Sequence, residues 1–180
     1  MKFSDDEYDK KSNKMLAVIL GIFCGITIAY LASNDINAAY IFLGILVATG
    51  ISFKIDGIHH IVTLLVFLFL FVIWGIADTN ILANFSLITL FICIFSAFID
   101  EIGNDNPLIY KKSKFFKIFF DYRFSMKIVI LALALLGLYQ SWTGFTLLFV
   151  DFLSFLTFIF FMLFELFYEL AGFVFDKYIL

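Results

Sequence analysis

Histidine and carboxylate residues occur at two points of the chain where they could do chemistry together. Asp56, His59 and His60 lie at the start of one apolar run. Asp100 and Glu101 lie at the end of the next run. Imidazole and carboxylate groups bind Zn, Mn and Fe, and a carboxylate can also orient a histidine that acts as a general base. The residue types predict a divalent metal site with the ligands His59, His60, Asp100 and Glu101, or metal-free catalysis that also uses Asp56.

Helical geometry decides how these residues can meet. At about 100° per residue, one helical face carries Asp56, His59, His60 and Thr63, and a face of the next run carries Thr89, Cys93, Ser96 and Asp100. An antiparallel hairpin that turns near residue 79 would set the two polar faces at equal depth, so we expect them to pack together. Neighbouring histidines point about 100° apart, so both bind one ion only if the helix begins between them. A third interpretation is that the histidines are interfacial residues that hydrogen-bond to Asp100 or to lipid headgroups.

The composition identifies the environment of these elements. Of the 180 residues, 63% are hydrophobic and 15% are charged, far from the balance of a water-soluble domain. Two cysteines exclude a disulfide scaffold, and a net charge of −3 disfavours nucleic acid as a partner. The sequence therefore predicts an integral membrane protein.

Apolar runs long enough to cross a bilayer of about 30 Å recur along the chain. We predict an all-α, polytopic fold of six spans in three antiparallel hairpins, because the runs lack the alternation of barrel strands. The chain would comprise a charged tail, 1–14, and a single transmembrane domain, 15–180. The predicted spans are 15–33, 38–53, 58–77, 81–99, 124–142 and 145–164.

The basic residues predict the orientation. Eleven of the twelve lysines and arginines lie in the N-terminal tail, in the connections after spans two and four or near the C-terminus, and Lys127 lies just inside the start of span five. The other three connections contain none. Because basic residues stay on the cytoplasmic side, we expect a multi-pass protein of the cell membrane with both termini cytoplasmic.

Two segments are expected at the cytoplasmic boundary. Residues 107–123 combine lysines with a wide aromatic face, the pattern of an amphipathic helix in the membrane interface. Its basic residues would bind anionic lipid headgroups, or would act only as topological anchors; they are Lys111, Lys112, Lys114 and Lys117. Residues 165–180 would extend the last span as a cytoplasmic helix. A tight turn near residue 143 would set Arg123 level with Glu165, which predicts a structural charge pair.

Small residues predict close helix packing. Gly21 and Gly25 form a Gly-x-x-x-Gly pair in the first span, and Gly44 with Ala48 gives a similar pair in the second. Such pairs let helix backbones approach closely. We expect packing within the chain rather than with a partner.

Three classes of function stay open. The leading hypothesis is a structural or accessory component of a membrane assembly, with membrane-protein partners or further copies of itself. The second is an enzyme that acts on lipid headgroups or lipid-linked substrates at the cytoplasmic leaflet, with or without a divalent metal ion. The third is a substrate-binding transport component, against which the absence of charged residues at mid-span argues.

Overall fold

The computed structural model describes residues 1–55, 57–77, 85–108 and 113–179. These residues form eight helices, which we number in chain order. They are α1 (Lys2–Asp9), α2 (Lys14–Asn34), α3 (Ile36–Ile51), α4 (Ile58–Ala77), α5 (Leu87–Asp105), α6 (Lys114–Asp121), α7 (Phe124–Thr143) and α8 (Phe155–Tyr178).

Most of these helices are long and apolar. Five of them, α2, α4, α5, α7 and α8, have the length and composition needed to cross a membrane. α3 is apolar but has only 16 residues. The described residues contain no strand beyond an isolated bridge between Leu147 and Val150. The prediction of an all-helical fold typical of membrane proteins is confirmed.

The last helix begins later than the sequence indicated. α8 starts at Phe155 and not at Phe145, and residues 144–154 are not helical. Gly144 ends α7 in the left-handed conformation, with φ 71°, which a glycine adopts without strain. The predicted tight turn near residue 143 is therefore wrong, because a longer connection follows α7.

Two side chains of distant elements hold this connection through three hydrogen bonds. The Tyr40 hydroxyl on α3 donates to Asp151 Oδ2 at 2.5 Å. Thr89 Oγ1 on α5 donates to the Asp151 carbonyl at 3.0 Å and accepts from the Asp151 amide at 2.8 Å. These bonds satisfy backbone groups that a helix would otherwise pair internally.

The N-terminal tail contains a helix that the sequence analysis did not predict. Asp6 pairs with Lys2 at 3.4 Å and with Lys10 at 3.0 Å, each spaced four residues away. An eight-residue helix is marginal on its own, so tertiary contacts are needed. The Ser4 hydroxyl supplies one by donating to the Ala17 carbonyl at 2.7 Å.

The chain divides into two compact units. The first comprises Met1–Ile36, Ile55–Ala83 and Ile159–Leu180, and the second comprises Asn37–Lys54 and Asn84–Phe158. In the first unit, α2 packs closely on α4 through its two glycines. A Cβ at Gly25 would lie 2.8 Å from the Thr63 carbonyl oxygen, and one at Gly21 would lie 3.0 Å from that of His59. The expected packing of this glycine pair within the chain is confirmed.

In the second unit, α5 buries the polar face that its spacing predicted. The buried residues are Thr89, Cys93, Ser96 and Asp100. A Cβ at Gly44 of α3 would lie 3.0 Å from the Cβ of Cys93, so the helix pair is close here as well. This face of α5 has its neighbours in α3, α7 and the 144–154 connection.

Candidate functional site

Two adjacent histidines occupy the first turn of α4, which begins at Ile58. The His59 side chain is only 2% exposed, whereas 28% of the His60 side chain is exposed. Gly57 precedes this turn, and a Cβ there would collide with Cε1 and Nδ1 of the His59 ring. A residue without a side chain is therefore needed directly before α4.

Asp5 of α1 contacts both histidines. Its Oδ1 atom lies 3.1 Å from His59 Nε2 and 3.7 Å from His60 Nε2. One potential ligand atom from each of the three residues lies within 4.8 Å of the other two. We call this group the Asp5–His59–His60 cluster. It differs from the predicted metal site because its carboxylate comes from the N-terminal segment.

Aromatic contacts order the cluster. The rings of His59 and His60 have centroids 4.1 Å apart at an interplanar angle of 35°. The Tyr8 ring also packs on the His59 ring, with centroids 4.4 Å apart. Phe3 packs edge-on against Phe175 at 5.0 Å and so ties α1 to the end of α8. The imidazole rings are thus held by packing as well as by the carboxylate.

The electrostatics of the cluster are set by burial. Burial raises the pKa of Asp5 above its ordinary value, and the nearby imidazoles of His60 and His59 only partly oppose this. Among the described residues, three buried side-chain atoms have no hydrogen-bond partner: Asp6 Oδ2, Glu7 Oε2 and His59 Nδ1. Asp6 and Glu7 belong to α1, and His59 contacts α1 through Asp5. Incomplete hydrogen bonding among the described residues is therefore concentrated around α1.

Chemically, the cluster offers two imidazoles and a carboxylate around one point. This donor set is suited to a first-row transition metal or to a histidine base oriented by a carboxylate. Adjacent histidines were expected to point too far apart to share an ion unless the helix began between them. The helix begins one residue before His59, and both Nε2 atoms nevertheless approach the same oxygen of Asp5.

Asp100, a predicted catalytic and metal-binding residue, has a structural environment. It is 1% exposed, and its two carboxylate oxygens accept from the amides of Ser125 at 3.0 Å and Met126 at 2.8 Å. α7 has no side-chain cap of its own, since Arg123 before it is in the left-handed conformation with φ 52°. Asp100 therefore caps α7 from another helix.

Glu101, the second predicted carboxylate, lies between two cations. Its Oε2 atom is 2.7 Å from Lys54 Nζ, and its Oε1 atom is 3.1 Å from an Arg123 guanidinium nitrogen. Arg123 thus has a carboxylate partner that the sequence analysis did not identify. Glu165 is buried, and its predicted pairing with Arg123 stays a prediction.

The remaining predicted site residues fall into two groups. Lys114 and Lys117 lie on α6, of which no residue is buried. Asp56, Lys111 and Lys112 lie outside the described residues. Lipid-headgroup binding by the four lysines stays a prediction.

Sequence reasoning missed Asp5 and Tyr8 because it treated residues 1–14 as a charged tail. A signal was present in the spacing. Lysines stand four residues from acidic residues at 2 and 6, 6 and 10, and 7 and 11, a spacing that stabilises a helix. This spacing predicts a short charged helix, which could have been considered as a source of ligands.

Comparison with known proteins gave no match for this chain, whether to a family model, to a curated protein or to a solved structure.

Proposed function

We propose that the chain is a six-span protein of the cell membrane, with both termini cytoplasmic, that serves as a structural or accessory component of a membrane assembly. The sixth span in this proposal is α3, whose 16 residues extend about 24 Å. This is shorter than the hydrocarbon core of about 30 Å. Local thinning of the bilayer accommodates such a helix at modest cost.

The basic residues support the orientation. The connection before α8 is longer than predicted, but residues 144–154 contain no lysine or arginine. The asymmetry on which the positive-inside rule depends is therefore unchanged. In the same arrangement, α6 lies in the cytoplasmic interface, with Lys114 and Lys117 toward anionic lipid headgroups.

The observation that carries the structural role is the use of Asp100 and Glu101. These buried carboxylates were the best candidates for catalysis in the second unit, and each has both oxygens engaged. Asp100 accepts from two backbone amides, and Glu101 contacts two cations. A catalytic carboxylate must exchange protons or contact substrate, which here would break contacts that hold helices together.

A labelling experiment tests the topology. With Cys24 and Cys93 replaced, single cysteines at Asn34, Thr79 and Leu148 are expected to react with an impermeant thiol reagent on intact cells. A cysteine at Ser113 is expected to be protected until the membrane is opened. Labelling of Ser113 with protection of the other three would reverse the orientation.

A second candidate function is a metal-dependent enzyme that acts on lipid headgroups at the cytoplasmic leaflet. The Asp5–His59–His60 cluster favours it, because imidazole and carboxylate donors are typical of catalytic metal sites. This candidate places the chemistry in the first unit and does not use Asp100 or Glu101.

Complementation of a deletion strain separates the two functions. For a structural component, Glu101→Gln is expected to lose function in step with the amount of folded protein, while His59→Ala and His60→Ala complement. For an enzyme, the histidine variants lose function at normal abundance. Glu169→Gln, which changes an exposed carboxylate, is the matched control and is expected to behave as wild type in both cases.

A further inference from the structure

We propose that Asp5, His59 and His60 bind a divalent transition-metal ion of the Zn²⁺ class, and that this ion fastens α1 to the first turn of α4. The inference is independent of whether the protein is a structural component or an enzyme. It concerns a ligand, and a role for the N-terminal helix, that the structural role proposed above does not require.

The spacing of the donor atoms fits such an ion. In a tetrahedral zinc site with bonds of about 2.0–2.1 Å, neighbouring ligand atoms are about 3.3 Å apart. Asp5 Oδ1 lies 3.1 Å from one Nε2 atom and 3.7 Å from the other. One potential ligand atom from each residue lies within 4.8 Å of the other two. The two distances from Asp5 Oδ1 are thus within a few tenths of an ångström of the spacing in a coordination shell.

The protonation chemistry of His59 is compatible with coordination through Nε2. A histidine that binds a metal through one ring nitrogen carries its proton on the other. Nδ1 of His59 is buried and has no hydrogen-bond partner among the residues that the structure describes. Nε2 lies at hydrogen-bond distance, 3.1 Å, from Asp5 Oδ1. An ion that replaces this hydrogen bond therefore requires the ring proton to move from Nε2 to Nδ1.

The surroundings hold the ligands in place before an ion arrives. Tyr8 stacks on His59 at 4.4 Å, and the two imidazoles pack on each other at 4.1 Å. Ser4, beside Asp5, is bonded to the Ala17 carbonyl at 2.7 Å. Two helices thus present their ligands from fixed positions, which lowers the entropic cost of binding.

The donor set selects against harder cations. Ca²⁺ and Mg²⁺ prefer shells of oxygen atoms, whereas two of the three donors here are nitrogens. The neighbouring carboxylates already have cationic partners, since Asp6 pairs with Lys2 and Lys10, and Glu7 lies 4.0 Å from Lys11. A site with imidazole donors and one carboxylate favours Zn²⁺, Co²⁺ or Ni²⁺.

The three ligands found among the described residues leave a coordination position for another group. Asp5 and His60 are partly exposed, at 19% and 28% of their side chains, so water can reach the ion from one side. Structural zinc sites have four protein ligands, whereas three with an open position is the arrangement of exchangeable or catalytic sites. With the ligands that the described residues supply, the proposed ion has an open position that a water molecule can fill.

The experiment measures Co²⁺ and Zn²⁺ binding by the full-length protein. The protein is purified in detergent with a tag that contains no histidine and is stripped with a chelator. Titration with Co²⁺ is expected to give visible d–d absorption that saturates at one equivalent per chain. One equivalent of Zn²⁺ is expected to abolish this absorption, and an excess of Mg²⁺ to leave it unchanged.

Variants assign the ligands. Asp5→Asn, His59→Ala and His60→Ala are each expected to weaken Co²⁺ affinity by more than about 100-fold, because changing even an outer-shell partner costs about 10–100-fold. Asp9→Asn changes an exposed carboxylate on the same helix and is the matched control, expected to bind as wild type. Asp5→His supplies another ligand at the same position and is expected to restore binding if Asp5→Asn misfolds.

Three results would each overturn the site. The first is a wild-type protein that gives no saturable d–d band. The second is an affinity that Asp5→Asn and both histidine variants leave unchanged while they elute as folded protein. The third is an equal loss of affinity in Asp9→Asn, which would show that Co²⁺ binds the acidic segment nonspecifically.

Discussion

The carboxylates of the Asp5–His59–His60 cluster in the first unit and of the Asp100–Glu101 pair in the second have different kinds of hydrogen-bond and charge partners. In the second unit, both oxygens of Asp100 accept from backbone amides, and each oxygen of Glu101 faces a different cation. In the first unit, one oxygen of Asp5 is approached by two imidazole nitrogens. His59 Nδ1, within the described part of the chain, has no partner.

This difference separates structural from ligand-binding polar groups. A buried carboxylate with a donor for each oxygen has regained in the protein what it lost from water, so removing it leaves those donors unsatisfied. A carboxylate oxygen shared by two imidazoles offers several electron pairs around one point. A cation at that point would compensate for the burial that raises the pKa of Asp5.

The largest change in the free energy of unfolding is expected for Asp100, because both of its carboxylate oxygens accept from backbone amides. Asp100→Ala leaves the amides of Ser125 and Met126 without their acceptor. Each unsatisfied buried donor costs about 1–3 kcal/mol, so the free energy of unfolding should fall by about 2–6 kcal/mol. Asp100→Asn keeps one acceptor oxygen and should lose less. Denaturation in mixed micelles measures both, and an Asp100→Ala protein as stable as wild type would show that the cap is unimportant.

A smaller change, an increase in the free energy of unfolding, is expected when Zn²⁺ is added. An ion that binds only the folded protein stabilises it by about 2.7 kcal/mol at 100 times its Kd. The thermal midpoint of the wild type should therefore rise, whereas that of Asp5→Asn should not. Glu101→Gln alters the second unit only and should keep the full increase. An equal increase in Asp5→Asn would place the stabilising ion elsewhere.

The smallest effect is expected for the ion pair between Arg123 and Glu101. Their charged atoms are 3.1 Å apart, but 33% of the Arg123 side chain is exposed, so solvent screens the attraction. A double-mutant cycle of Arg123→Ala and Glu101→Gln should give a coupling energy of about 0.5–1 kcal/mol. Strictly additive losses would show that the attraction between Arg123 and Glu101 does not stabilise the second unit. A cycle of Arg123→Ala with Glu165→Gln tests the pairing that equal depth predicted.

Much of the helical framework follows from apolar run length alone. The runs predicted as 15–33, 58–77 and 124–142 correspond to α2, α4 and α7, with ends that agree to within one residue. Run length determines these helices because a span must satisfy its backbone hydrogen bonds internally. No distant contact is needed to specify them.

The start of α8 could not be found in this way. Residues 145–154 are as apolar as the helix that follows, so hydropathy does not distinguish them. Their conformation depends on Tyr40 and Thr89, which lie far away in sequence and bond to Asp151. Local patterns do not contain that information.

The candidate site was only partly predictable for a related reason. Residue type identified His59 and His60, and the buried polar face of α5 followed from helical spacing. The partner of the histidines did not follow, because the prediction assumed that charged residues 1–14 form no packed element. Asp5 reaches His59 through a short helix whose stability depends on contacts such as that of Ser4 with Ala17.

The cap that Asp100 provides for α7 has a consequence for biosynthesis. Ser125 follows Asp100 by 25 residues, so at about 5–20 residues per second the ribosome delivers the acceptor about 1–5 s before its amide donors. During that interval α5 carries a carboxylate without its final partners, and lateral release of this helix into lipid would be costly. Until the first turn of α7 has been synthesised, water must supply the hydrogen bonds that the Asp100 carboxylate later accepts from Ser125 and Met126.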